Sequence, residues 1–165
     1  YMYMYAHPGK KLNFMGNELA HFREWDEKRP LDWELLSFPI HDAFHRFMKE
    51  LNRIYLETPA LWALDYDRAG FRWADCHEEE KCVYAFLRTD GRQELLALFN
   101  FSEKEQKGFE LQLSPVENLS TEEKEMGGKR SAGKERGRIF SAKDGKLTVD
   151  LPAFGALYLM KGSGR

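Results

Sequence analysis

The sequence is poor in cysteine, in long apolar runs and in net charge, and each shortage excludes a class of protein. Only Cys76 and Cys82 carry thiols among 165 residues, whereas a small secreted domain that depends on disulfides has many more. No apolar run approaches the roughly 20 residues that span a bilayer. The formal net charge of -2 supplies no basic surface for DNA or RNA. We therefore expect a globular protein that binds neither a membrane nor nucleic acid.

The first residues also lack the features of a secretion signal. The stretch from Tyr1 to Tyr5 has no basic leader, no long apolar core and no small-residue cleavage site, so we expect a cytoplasmic protein. Cys76 and Cys82 flank a charged stretch that is typical of a hairpin turn. A disulfide across that hairpin is geometrically feasible, but two cysteines beside a core of this size favour free thiols. Because Tyr1 is not an initiator methionine, we expect the chain to continue a longer protein.

One segment has a clear helical period. Apolar residues recur at spacings of three and four between positions 44 and 55, which predicts a helix at 42–57 with one face in a core. Pro59 ends it, because proline cannot continue a helix. The apolar face consists of Phe44, Phe47, Met48, Leu51, Ile54 and Tyr55.

From Phe71 onward the apolar period changes to two, which is typical of half-buried strands. We predict strands at 82–87 and 95–101, joined by a turn at Asp90-Gly91. Further alternation predicts strands around 109–113 and at 147–151, after a turn at Asp144-Gly145, and a last strand at 154–160. Several short strands at this spacing indicate an antiparallel sandwich. The charged, glycine-rich residues 121–137 predict a mobile loop.

The opening residues have a different organisation. We expect Tyr1 to His7 to be the tail of a helix that ends at Pro8-Gly9. Leu12 to Met15 form a short strand candidate, and Gly16 allows a sharp turn after it. Residues 17–40 have no sustained period and are rich in charge and tryptophan. A structureless stretch of that length inside a compact domain usually has a function.

Several motifs in this region carry a resemblance to a known family. Lys-Lys-Leu-Asn-Phe-Met-Gly-Asn-Glu at 10–18, with Arg-Glu-Trp at 23–25 and Leu-Asp-Trp at 31–33, resembles the 1,4-α-glucan (glycogen) branching enzymes of the α-amylase clan. Residues 63–73 look like the junction into the carboxyl-terminal domain of those enzymes, and residues 151–159 look like their final strand.

The resemblance implies a mainly β fold in two parts. Residues 1–63 would be the remnant of a truncated (β/α)8 barrel, with its last strand at 12–15, a long loop at 17–40 and its last helix at 42–57. Residues 64–165 would be the all-β carboxyl-terminal domain, an antiparallel β-sandwich.

The resemblance also implies an activity for the parent protein. Branching enzymes transfer a segment of α-1,4-glucan to a 6-hydroxyl and form α-1,6 branches during glycogen biosynthesis. Their retaining chemistry needs two carboxyl groups about 5 Å apart. In the clan these two groups and a third carboxylate lie on the fourth, fifth and seventh barrel strands, which the resemblance does not find in this sequence. We therefore assign no catalytic residue, no cofactor and no metal, and expect this chain alone to be inactive and to support the barrel.

Four residues are candidates for contact with glucan in the intact enzyme. The ends of barrel strands are where active sites lie, which singles out Asn17 and Glu18. Trp25 and Trp33 can stack on the apolar face of a glucose ring. The alternative is that the two tryptophans anchor a long loop. Together with Glu18, three other carboxylates could be taken for a general acid/base set, namely Glu24, Asp26 and Asp32. We expect none of the four to be catalytic.

Other residues favour structural explanations. His77-Glu-Glu-Glu80 contains metal-ligand types, but they are consecutive in a predicted turn, whereas zinc needs converging ligands. Trp62, Tyr66 and Trp73 suit interdomain packing better than a polysaccharide surface. His41 and His45 are four apart and share one helix face.

Two other functions remain open. The β domain could be a dedicated carbohydrate-binding module, in which Trp62 or Trp73 holds the glucan. The parent could instead be another clan member, such as a trehalose-forming glycoside hydrolase. If the chain is the carboxyl-terminal part of a branching enzyme, the strand at 12–15 would lose both its neighbours when separated from the barrel and would expose an edge. We expect residues 1–40 either to refold on the sandwich or to pair with a second copy of the chain.

Overall fold

The computed structural model describes residues 1–113, 120–126, 139–141 and 145–161. These residues form two compact units. We call residues 10–57 the helical unit, and residues 1–9 together with 58–165 the β unit. In the described parts, no helix has the length and apolar character needed to cross a bilayer.

The β unit contains a short helix and antiparallel strands arranged in two sheets. The larger sheet has the order β1-β2-β3-β8-β5-β6, and the smaller one pairs β4 with β7. The helix α1 spans Met2–Ala6 and the strands are β1 (Phe71–Glu78), β2 (Val83–Thr89), β3 (Glu94–Asn100), β4 (Gln106–Gln112), β5 (Ser120–Met126), β6 (Ile139–Ser141), β7 (Lys146–Leu151) and β8 (Ala156–Lys161). The predicted mainly β, antiparallel architecture is confirmed.

Alternation along the strands builds the core between the two sheets. Val83, Ala85 and Leu87 on β2 point the same way, because successive strand residues face opposite sides. They pack against apolar residues of the smaller sheet, and this makes the fold a sandwich. The rest of this core comprises Leu96, Leu98, Phe109, Leu111, Leu113, Leu147, Val149, Leu151, Leu157 and Leu159.

The face of the larger sheet that points away from the smaller sheet, which we call its outer face, carries a second apolar layer. The helix α1 covers part of this outer apolar layer. The ring of Tyr3 meets those of Phe86, Phe99 and Phe101 edge-on, with distances of 5.8, 5.1 and 5.6 Å between the ring centroids. The hydroxyl of Tyr158 on β8 donates to the carbonyl of Met2. Residues 1–9 therefore belong structurally with the strands, which differs from the predicted division at residues 63 and 64.

A buried arginine joins α1 to the sheet. Arg88 on β2 has no exposed surface, and its guanidinium donates to the carbonyls of Ala6 at 2.5 Å and Gly70 at 3.0 Å. It also pairs with the carboxylate of Asp65 at 2.5 Å. A buried charge is tolerated only when it is paired and hydrogen-bonded, and here three groups from three segments satisfy one side chain.

The helical unit is built on α2, which spans Pro39–Glu57. It begins three residues before the predicted start, because Pro39 occupies the first helical position, where a missing N–H costs nothing. Met48, Leu51 and Ile54 are buried, as the predicted apolar face requires. Two 3-10 turns, at Asn17–Leu19 and Trp33–Ser37, interrupt the predicted structureless loop at 17–40.

Several predicted elements differ from the structure. Leu12 to Met15 form no strand, because a strand needs a hydrogen-bonded neighbour and none of the described strands pairs with them. Met15 also has a φ of 22°, outside the strand region. The predicted loop at 121–137 begins instead as part of β5, since residues 121–126 pair with β8; residues 127–137 lie outside the described part, as does Asp144.

Smaller shifts affect two strand starts and the cysteines. Cys82 and Phe154 precede their strands with φ values of 52° and 51°, so β2 and β8 begin one and two residues later than predicted. Both Cys76 and Cys82 are free thiols, which confirms the simpler of the two alternatives for them.

Candidate functional site

Asn17 and Glu18 lie on the tight 3-10 turn that begins the loop. Gly16 before this turn has a φ of 90°, and Ala20 after it has a φ of 53°. Two left-handed residues four apart reverse the chain on either side of a single turn. The Glu18 carboxylate accepts a hydrogen bond of 3.0 Å from the Asn13 amide.

Two histidines of α2 hold this turn in place by hydrogen bonds to its carbonyls. His41 Nδ1 donates to the carbonyl of Leu19 at 2.7 Å, and His45 Nδ1 donates to the carbonyl of Glu18 at 3.3 Å. Their spacing of four puts both rings on one face of the helix. The carbonyls that a short turn leaves unsatisfied thus find donors on α2. The predicted shared helix face is therefore also the anchor of the turn.

An arginine–carboxylate pair closes the next part of the loop. Arg23 donates to both carboxylate oxygens of Asp32, from Nε at 2.7 Å and from Nη2 at 2.8 Å. The same guanidinium donates to the carbonyls of Pro30 and Glu24 at 2.9 and 3.3 Å. Two-point pairing of this kind fixes orientation as well as distance. We call the Arg23–Asp32 pair the clasp.

His21 supports the clasp from inside the loop. Its Nε2 accepts a hydrogen bond of 3.2 Å from the backbone N–H of Asp32. Its Nδ1 is buried, has no hydrogen-bond partner in the described chain and lies 3.9 Å from the Asp32 carboxylate. The ring also packs on Gly16, where an added Cβ would be 2.9 Å from its Cε1. His21 therefore connects the clasp to the turn that carries Asn17 and Glu18.

Trp25 and Trp33 both remain about half exposed, at 51% and 55%. Trp25 meets the ring of Phe14 edge-on at 5.5 Å, and Trp33 opens the second 3-10 turn, which lies against α2. In the described part, no hydrogen bond or ring contact joins Asn17, Glu18, Trp25 and Trp33 to one another. The four candidates share one loop and its supports, but they do not form a cluster.

Two of the loop carboxylates, those of Asp26 and Asp32, are engaged in structural contacts. The hydrogen bonds from Arg23 hold the pKa of Asp32 below its usual range, which favours the ionised form and opposes a role as general acid. Asp26 accepts from the backbone N–H of Lys28 and so closes a turn. The clasp was not foreseen, because Arg23 and Asp32 lie nine residues apart in a segment without a period. Only their presence in the Arg-Glu-Trp and Leu-Asp-Trp motifs singled them out.

Substituting Gly16 by alanine should destabilise the helical unit. An alanine at a φ of 90° costs about 1–2 kcal/mol, and its Cβ would also push on the His21 ring. Gly91→Ala is the matched control, because Gly91 has a φ of 88° with nothing within 4 Å. Urea unfolding followed by hydrogen exchange in each unit measures both costs. Equal losses for the two variants would contradict the contact with His21.

The clasp should also make the loop sensitive to acid. The pKa of Asp32 is lower in the folded chain than the unfolded value near 3.9. The stability it contributes is therefore fully present above that value and is lost as the pH falls through the folded pKa. Asp32→Asn should lower the urea midpoint at pH 7 and have a shrinking effect below about pH 4. An effect of Asp32→Asn that is the same at both pH values would contradict this.

The other residues considered as polysaccharide or metal ligands lie in the β unit. Trp73 on β1 packs edge-on against Phe71 and Phe86 at 5.3 and 5.6 Å, so its exposed part is the margin of the outer apolar layer. Trp62 is partly exposed and Tyr66 largely so. His77 and Glu78 end β1, and a 3-10 turn at Glu79–Lys81 follows. Within the described ranges, no three histidine, cysteine or carboxylate side chains converge as a metal site would require.

Comparison with known proteins places these features in context. The family profile of the alpha amylase C-terminal all-beta domain matches residues 73–162. The chain is 37% identical over 167 residues to the 1,4-alpha-glucan branching enzyme of Aquifex aeolicus (strain VF5), a match that covers 95% of this chain and 26% of that enzyme. It is 47% identical over 103 residues to the corresponding enzyme of Nitratidesulfovibrio vulgaris (strain DP4), covering 62% of this chain and 16% of that one.

A solved structure has the same fold. The alpha-amylase from Geobacillus thermoleovorans, complexed with acarbose, superimposes with a TM-score of 0.69 over 99% of this chain and 32% of that one, at 14% identity. The chain spans about a quarter of the length of the Aquifex branching enzyme.

Proposed function

Because this chain belongs to the family of the alpha amylase C-terminal all-beta domain, we propose that it is the carboxyl-terminal part of a 1,4-α-glucan branching enzyme. In the intact protein it would support the catalytic barrel in the cytoplasm, while the barrel transfers α-1,4-glucan segments to 6-hydroxyls. The observation that carries this proposal is the 37% identity over 95% of the chain to the Aquifex branching enzyme.

The two units have different roles in this proposal. The helical unit supplies the last βα unit of the barrel, in which Leu12 to Met15 gain strand neighbours from the rest of the enzyme. The β unit packs its sheets independently, around its own core. The partners of the chain are then its own barrel and the α-glucan, and Asn17, Glu18, Trp25 and Trp33 are the residues of this chain that lie near the glucan.

The chain has no catalytic role of its own in this proposal. Retaining transfer needs a nucleophile and an acid about 5 Å apart. The most engaged loop carboxylate, Asp32, is committed to Arg23, and Glu18 is bonded to Asn13. Neither group is therefore placed to act as the acid.

Branching assays on two polypeptides test the proposal. Amylose is incubated with the chain alone and with the longer polypeptide that this proposal requires, and α-1,6 linkages are then counted after enzymatic debranching. We expect branches only from the longer polypeptide, and their loss when residues 58–165 are deleted from it. Branches formed by the chain alone, or none formed by the longer polypeptide, would contradict the proposal.

Affinity electrophoresis separates this function from that of a binding module. If the β unit is only a support, substituting Trp62 or Trp73 leaves the migration of the chain in a glycogen-containing gel unchanged. Retardation by glycogen that Trp73→Ala or Trp62→Ala abolishes would instead favour a carbohydrate-binding module, and would overturn the purely supporting role.

We also propose that the isolated chain covers the 12–15 segment by self-association. Leu12 and Phe14 are exposed, and an unpaired segment next to exposed apolar side chains is prone to pairing. Light scattering tests this idea. A strictly monomeric chain whose residues 10–16 are protected from hydrogen exchange would rule it out.

A further inference from the structure

The clasp closes the loop between residues 23 and 32 into a defined shape. All four of its described guanidinium contacts are to residues of this segment, two to the Asp32 carboxylate and two to the carbonyls of Glu24 and Pro30. Charge-assisted, two-point pairing restricts both distance and angle. Neither Arg23 nor Asp32 is buried enough for the pair to be needed as compensation for a buried charge, since both side chains are about one quarter exposed.

The clasp is also attached to the rest of the helical unit. The backbone N–H of Asp32 donates to His21, and the His21 ring lies against Gly16. His41 and His45 of α2 hydrogen-bond to carbonyls of the 3-10 turn that follows Gly16. A continuous set of contacts thus leads from the helix to the clasp.

Both half-exposed tryptophans are connected directly to the clasp. Trp33 is the residue after Asp32, and Trp25 is two residues after Arg23. Each leaves about half of a large aromatic surface in solvent, so much of the stabilisation that burying it would bring is not used within this unit. Such a ring suits a ligand whose C–H face is apolar and whose rim is polar, as in a glucose ring.

We propose that Arg23 and Asp32 are positioning residues, which hold Trp25 and Trp33 in place to contact an α-glucan. The inference rests on the proposed function and goes beyond it, because it assigns the loop geometry to a salt bridge that contacts no substrate. The clasp preorganises the two rings, so that the glucan does not have to order the loop when it binds.

Fluorine NMR on the chain labelled with 5-fluorotryptophan tests the positioning step without any activity. The chain has four tryptophans, and Trp25→Phe and Trp33→Phe assign two of the resonances. We expect Arg23→Gln and Asp32→Asn to shift or broaden the signals of Trp25 and Trp33. The signals of Trp62 and Trp73, which belong to the β unit, serve as an internal reference that the variant is folded.

Matched variants make the result specific to the clasp. Arg29→Gln removes the same charge from an exposed position in the same loop and should leave all four signals unchanged. Arg23→Lys keeps the charge but not the two-point geometry, so it should have an intermediate effect. Exchanging the partners, Arg23→Asp with Asp32→Arg, should restore the signals in part.

Titration with maltoheptaose then tests the glucan contact. In the unaltered chain, and in Arg29→Gln, the sugar should shift the signals of Trp25 and Trp33. The clasp variants should need roughly tenfold more sugar. In the longer polypeptide, the same variants should raise KM for amylose by a similar factor with kcat nearly unchanged, because only binding geometry is lost.

The outcomes separate the two proposals. If Arg23→Gln leaves the signals of Trp25 and Trp33 in place, or if the clasp variants titrate like the unaltered chain, the positioning role is overturned. If maltoheptaose moves neither signal in the unaltered chain or in the longer polypeptide, the glucan contact is overturned. If the longer polypeptide forms no branches, the proposed function fails, whatever the NMR result for the clasp.

Discussion

Replacing Arg88 by methionine will destabilise the β unit by about 3–5 kcal/mol. Methionine fills much of the space, but it leaves the Asp65 carboxylate, whose side chain is 9% exposed, without its guanidinium. It also removes the donors to the carbonyls of Ala6 and Gly70. Groups that are buried and lose their partners bear the full cost of desolvation. Urea unfolding monitored by circular dichroism should show the loss.

Two further variants make this result diagnostic. Arg92→Met removes an exposed arginine from the turn between β2 and β3, and should cost less than about 0.5 kcal/mol. Arg88→Met combined with Asp65→Leu should be less destabilising than Arg88→Met alone, because no carboxylate is then left buried. A double variant as unstable as the sum of its single changes would show that the buried pair is not the cause.

The second large effect should come from Phe86→Ala, again at about 3–5 kcal/mol. Phe86 is fully buried on the outer face of the larger sheet. Its ring meets those of Tyr3 and Trp73 edge-on and stacks with that of Phe99. Removing it opens a cavity under α1, so amide protons of Met2–Ala6 should also lose protection from hydrogen exchange.

Phe154→Ala is the control for this substitution. Phe154 is 70% exposed, so removing its ring should change the free energy of unfolding by about 0.5 kcal/mol or less. If Phe86→Ala were as mild as Phe154→Ala, the outer face could not be a second core layer. If α1 kept its protection in Phe86→Ala, the helix would not depend on that layer.

Local pattern was enough to predict most of the strands. Val83 to Leu87 and Leu95 to Phe99 alternate between two apolar layers, and Asp90-Gly91 supplies the turn between them, with Gly91 at a φ of 88°. These features depend on neighbours within a few residues. The same is true of the apolar face of α2, whose start was missed only because Pro39 can begin a helix.

Contacts between residues far apart in the sequence could not be predicted from the local apolar pattern. Arg88 interrupts an apolar strand, yet its partner Ala6 is 82 residues away, and Tyr158 bonds to Met2 across 156 residues. No periodicity records such pairs. The strand predicted at 12–15 failed for a related reason, because a strand depends on neighbours that its own residues do not supply.

The candidate site was predictable only in part. The motifs singled out Asn17, Glu18, Trp25 and Trp33, and all four lie in the helical unit, on one loop. The contacts that shape this loop join Arg23 to Asp32, and His41 and His45 to the first 3-10 turn. They are set by side-chain geometry in an aperiodic segment, where spacing carries no information.

The β unit is discontinuous in the chain, because residues 1–9 and 58–165 belong to it while residues 10–57 form the helical unit. A protease that nicks the chain anywhere between Lys10 and Glu57 will therefore not release the amino-terminal piece. The guanidinium of Arg88, the hydroxyl of Tyr158 and the rings around Tyr3 will keep both pieces together. Size-exclusion chromatography would then show an intact particle, and only denaturing electrophoresis would reveal the cut.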